Sequence, residues 1–116
     1  MSEPGRRVLL DEMLPRLLAR ELPGHRVTTV AREGWTGVLN GELLRRMGTA
    51  GIEVLVTADR KMEYQQRIAG RSFGVIVLAV GGTKLEDLRP LADLLREAVR
   101  RVTAGEVIHL GPPPLT

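Results

Sequence analysis

Val8-Leu9-Leu10 followed at once by Asp11-Glu12 constrains this chain more than any other stretch. Three successive apolar residues leave no polar face. The strand they form must be covered on both sides, as in the middle of a parallel sheet. Because the run stops at two carboxylates, those acids fall at the carboxyl end of a central strand. In open α/β sheets ligands bind in the crevice outside that end. The pattern recurs at Val54-Leu55-Val56-Thr57-Ala58-Asp59, an apolar run and then an acid. Two such strands in one parallel sheet bring both acids to one rim, and the expectation is a crevice that holds a divalent metal.

The rest of the chain supplies the helices such a sheet needs. Strands are expected over about 7–11, 25–30, 53–57, 73–80 and 106–110. Between them, Leu14, Leu17, Leu18 and Leu22 recur at helical spacing, with Pro15 in the first turn and Pro23-Gly24 as the stop. A second helix is expected over 40–50, with Asn40 as its N-cap and Gly51 ending it, and a short one over 60–69. The longest is expected over 85–103, on the stripe Leu88, Leu91, Ala92, Leu95 and Val99, with Pro90 near its start. Strand two is the least apolar, so it belongs near an edge. Gly111-Pro112-Pro113-Pro114 reads as an extended tail. Strands alternating with helices predict an α/β fold, a three-layer α/β/α sandwich around a five-stranded parallel sheet. Residues 1–116 form one domain, with its core over about 7–110.

Composition narrows the chemistry. One Trp, one Tyr and one Phe leave an aliphatic core, and the absence of cysteine excludes disulfides and thiolate zinc sites. With 17 basic against 14 acidic residues the net charge is +3, which permits a polyanionic partner without requiring one. No apolar segment approaches the ~20 residues of a membrane span, and no signal-peptide pattern opens the chain. A cytoplasmic protein with no membrane partner is expected.

Three acids stand out by position: Asp11 after strand one, Glu42 in the first turn of the second helix, and Asp59 after strand three. Clustered carboxylates repel and need a cation or protons to persist, and an all-oxygen set suits Mg²⁺ or Mn²⁺. Each acid also has a structural reading. Asp11 caps the first helix, Glu42 favours the dipole of the second, and Asp59 caps or makes an Asx turn. Arg45, Arg60 and Lys61 fall near the same rim, either to grip phosphates or as a solvated face.

Leu9-Leu10-Asp11-Glu12-Met13-Leu14-Pro15, Gly24-His25-Arg26-Val27, Asn40-Gly41-Glu42-Leu43-Leu44 and Val54-Leu55-Val56-Thr57-Ala58-Asp59, taken in order and spacing, resemble the small prokaryotic PIN-like proteins. Many members of that family are thought to be toxins of toxin–antitoxin systems. The resemblance implies strand order 3-2-1-4-5 and a metal-dependent endoribonuclease that cuts RNA, the toxin of a toxin–antitoxin pair. Asp11, Glu42 and Asp59 would be its catalytic metal ligands. Asn40 and Glu12 would stand in the metal shell, and Arg60, Lys61 and Arg45 would hold nucleic acid. An antitoxin protein and a homodimer are the implied protein partners. Asn40 stands where the family often has Asp, and Arg60-Lys61-Met62 where a further Asp often follows. Those departures give the alternative, a catalytically degenerate module that binds RNA or protein.

Overall fold

The structure, a computed structural model, describes residues 5–111. The Pro-rich tail expected after Gly111 lies outside the described residues. Five short strands form the sheet: β1 (Arg7–Leu10), β2 (Arg26–Thr29), β3 (Val54–Thr57), β4 (Gly74–Leu78) and β5 (Val107–Leu110). Every pairing is parallel, so the α/β class and the five-stranded parallel sheet are as expected.

The strand order is β2-β1-β3-β4-β5, not the 3-2-1-4-5 implied by the resemblance. Burial explains the correction. All four residues of β3 are buried, which an edge position would not allow. β2, with Arg26, Thr28 and Thr29, has no fully buried residue and takes the edge. The chain leaves β1 for β2 on one side and then returns to place β3 on the other. The direction of winding therefore reverses beside β1, and such a switch point opens a crevice at the carboxyl ends.

The alternation of side chains sorts the core into two layers. Val8, Leu10, Val54, Val56, Ile76 and Leu78 face one cluster with Leu14, Leu18, Leu22, Leu95 and Val99. Leu9, Leu55, Val75 and Val77 face the other, with Leu43, Leu44 and Met47 of helix α1 (Asn40–Ala50) and Met62 of the one-turn helix α2 (Met62–Gln65). The sheet thus separates two apolar layers covered by helices.

Helix α1 spans the 40–50 expected for it, but the other helices are shorter or tighter than the periodicity predicts. The first is a 3₁₀ helix, Arg16–Glu21. Leu18 N–H donates to Pro15 O and Leu22 N–H to Ala19 O, three-residue closures that still bury Leu14, Leu18 and Leu22. The helix expected over 85–103 is divided into α3 (Leu85–Leu88), a 3₁₀ turn at Arg89–Leu91 and α4 (Ala92–Arg101). Pro90 lies in that turn; it lacks an N–H and its ring opposes a continuous α-helix. The helix expected over 60–69 shrinks to α2. At the end of α1, Gly51 takes φ 73°, a left-handed turn that glycine adopts without strain. No helix among the described residues is long and apolar enough to cross a membrane.

Candidate functional site

The register of β1 and β3 builds the centre of the site. Leu10 is opposite Val56, and Asp11 N–H donates to Val56 O at 2.9 Å, so Asp11 and Thr57 come next on the two strands. Both continue the alternation of Leu9 and Leu55, which aims them at the α1 layer. Thr57, fully buried, donates its hydroxyl to Asp11 Oδ2 at 2.6 Å. The hydroxyl oxygen in turn accepts Asp59 N–H at 3.0 Å. One hydroxyl therefore ties the acid after β1 to the loop that carries the acid after β3.

Both carboxylates are further oriented. Asp11, 6% exposed, accepts Glu12 N–H on Oδ1 at 2.8 Å. Asp59 accepts Lys61 N–H on Oδ1 at 3.0 Å and the Asn40 amide on Oδ2 at 3.3 Å. The N-cap of α1 is Leu39, with no side-chain capping bond, so the Asn40 amide serves Asp59 instead of the helix end. Asp11, Glu12, Asn40 and Asp59 line one crevice of about 260 Å³, walled by Met13, Val30, Val38 and Leu43. Glu12 is exposed there, with Oε1 accepting Gly37 N–H at 3.3 Å.

Glu42 lies elsewhere. It is not among the residues that line the crevice. Its carboxylate is held by Arg45 and by Arg46 (3.1 Å), one turn along the same helix. Hydrogen bonds from Arg45 and then Arg46 lower its pKa from 4.5 to about 2. The same pairing raises the Arg45 guanidinium. Arg60 reaches across the rim to donate to Val80 O at 3.2 Å, and Lys61 stays exposed beside Asp59. Glu63 pairs with His109 on β5.

Thr57 is the residue that acid spotting overlooks. Its signal is the one hydroxyl closing Val54-Leu55-Val56, at the register position beside Asp11. Among the described residues no group of three His, Cys, Asp or Glu side chains is placed to hold a metal ion. The donor set still fits a hard cation. Neither Asp11 nor Asp59 forms an ion pair with Lys or Arg among the described residues. An ionised carboxylate has about four acceptor positions, so the hydrogen bonds above leave lone pairs on both acids. Mg²⁺ characteristically takes one or two carboxylates and keeps several waters. Comparison with protein-family models, with curated proteins and with solved structures finds no match, so these residues and their geometry carry the functional reading alone.

Proposed function

We propose that the crevice beside β1 binds Mg²⁺ or Mn²⁺ and that the protein is a metal-dependent endoribonuclease of PIN-like type. The observation that carries the reading is the pairing of two distant acids, Asp11 and Asp59, through one buried hydroxyl at the switch point of the sheet. The strand order departs from the one the resemblance implies, so the reading rests on the site and not on the topology.

In this reading Asp11 and Asp59 are the metal ligands, and Thr57 and Asn40 fix their rotamers as hydrogen-bonded supports of a metal site do. Glu12 is exposed on the same crevice but forms no three-acid group with Asp11 and Asp59, so its part would be in the outer shell, while Glu42 is paired with Arg45 and Arg46. When bound, a divalent ion lowers the pKa of water and offsets charge on a phosphodiester. Val30, Val38 and Leu43 limit water around the acids, and Lys61 offers a cation to a neighbouring phosphate. The resemblance extends the proposal to the toxin of a toxin–antitoxin pair, with an antitoxin protein and a second copy of the chain as partners.

Titrating Mn²⁺ into the purified protein by calorimetry tests the metal, and a labelled RNA tests cleavage. Wild type should bind and cut, while Asp11→Asn and Asp59→Asn should do neither. Equal residual cleavage from wild type and variants would assign that activity to a contaminant. The small number of acids in the crevice favours a second reading, a module that binds RNA or protein without cutting. Absence of Mn²⁺ heat at millimolar concentration, with RNA binding intact, would select it.

A further inference from the structure

The free edge of the sheet carries a separate feature, independent of whether the crevice hydrolyses RNA. Among the described residues β2 pairs only with β1. Arg26 N–H and Val30 N–H donate to Arg6 O and Leu10 O, so the alternation turns Val27 and Thr29 backbone groups outward. Thr29 O is taken by Glu33 N–H, which leaves Val27 N–H, Val27 C=O and Thr29 N–H as an open half-ladder.

Arginines flank that half-ladder on both faces of the sheet. On the face of the 3₁₀ helix, a groove of about 610 Å³ runs beside β2 between Arg16, Arg20 and Arg32, with Leu17 and Val27 among its apolar lining residues. No acidic residue among the described residues lines it. On the opposite face Arg7, Arg26 and again Arg32 border a second hollow, whose one acid, Glu33, accepts the Thr28 hydroxyl at 2.8 Å. Arg16, Arg20, Arg26 and Arg32 are exposed, and none forms an ion pair among the described residues. Leu17 is 41% exposed.

We infer that the β2 edge takes up an acidic polypeptide segment as a sixth strand. A strand added there has the geometry these features match. Its backbone completes the Val27 and Thr29 half-ladder, and its side chains alternate between the two arginine-bordered hollows. Acidic side chains find unpaired guanidinium groups, and an apolar one finds Leu17 and Val27. A nucleic-acid backbone fits less well, because phosphate has no use for the outward Val27 carbonyl or the apolar floor.

The probe is a short synthetic peptide alternating Glu and Val, titrated against the full chain. It should bind with an affinity that falls with salt. A peptide of the same sequence, N-methylated at every residue so that neither edge offers N–H groups, should bind about tenfold more weakly. Val27→Pro removes an outward donor at an edge position where proline is tolerated and should weaken the parent peptide similarly. Arg16→Glu with Arg20→Glu should abolish binding, with circular dichroism checking that both variants fold. Equal binding of the two peptides would overturn the sixth strand. So would a single-stranded RNA that outcompetes the peptide and is indifferent to Val27→Pro; the edge would then be a phosphate-binding surface.

Discussion

Thr57 holds two acids with one oxygen, and its substitution separates packing from hydrogen bonding. Valine has nearly the same shape, so Thr57→Val keeps the buried contacts but removes the donor to Asp11 Oδ2 and the acceptor of Asp59 N–H. An almost fully buried carboxylate that loses a partner costs about 1–3 kcal/mol. Thr57→Val should lower Tm by several degrees and Thr57→Ser should restore it; an unchanged Tm in the valine variant would mean that water replaces the hydroxyl. Glu42 gives a second test, in pH. Its pKa is depressed from 4.5 to about 2, so the carboxylate favours the folded state above 4.5, and that contribution disappears as pH falls through about 2. Its partners are exposed, so the effect is small. Urea midpoints of wild type and Glu42→Gln should differ near neutral pH and converge towards pH 2. A gap that persists at the acid end would show that Glu42 acts through packing and not charge.

α4 ends on carbonyls with no partners inside the helix, and Arg6, just before β1, supplies donors to that end. Its guanidinium donates to Val99 O at 3.0 Å and Val102 O at 2.5 Å, while Nε meets Glu53 Oε2 at 3.3 Å. A cation there also complements the helix dipole. Arg6→Leu should destabilise by about 1–3 kcal/mol in urea melts, with Arg6→Lys intermediate, because charge-assisted bonds to partly buried carbonyls are strong. Glu53→Gln should change little, since that carboxylate is half exposed. The contact joins residues far apart in sequence, and nothing local announces it. Other features were legible. Val8-Leu9-Leu10 and Val54-Leu55-Val56 became interior strands because they have no polar face, and the mixed β2 became an edge for the opposite reason. Those same properties contradicted the strand order that the family resemblance implied. Helical period overreached where it met proline. It foretold the burial of Leu14, Leu18 and Leu22 but not the exposure of Leu17, the 3₁₀ closure of the turns, or the break around Pro90 in the run from Leu85. At the site, Asp11 and Asp59 were readable from the ends of apolar runs. The partners of Asn40 and Glu42 were not, because a long polar side chain chooses among neighbours that only the fold assembles.

The whole molecule joins these scales because Asp11 and Asp59 meet only when β1 and β3 are paired. In the unfolded chain the two acids, 48 positions apart in sequence, form no such site. A metal that binds the crevice therefore binds the folded state alone, and its binding free energy appears as stability. At about a hundred times its dissociation constant the gain is about 2.7 kcal/mol, enough to raise Tm by several degrees in a domain of this size. Mn²⁺ should produce that rise in wild type, and the rise should grow with the logarithm of its concentration. Asp59→Asn keeps an oxygen for Lys61 N–H and removes a charge, so its metal-free Tm should stay near that of wild type while the Mn²⁺ shift is lost. Glu42→Gln should retain the shift, because its carboxylate belongs to Arg45 and Arg46 and not to the crevice. A shift that survives Asp59→Asn but vanishes in Glu42→Gln would move the metal to the face of α1 and dissociate it from the switch point. The opposite pattern ties any nuclease activity to the one place in this topology where two strand ends diverge.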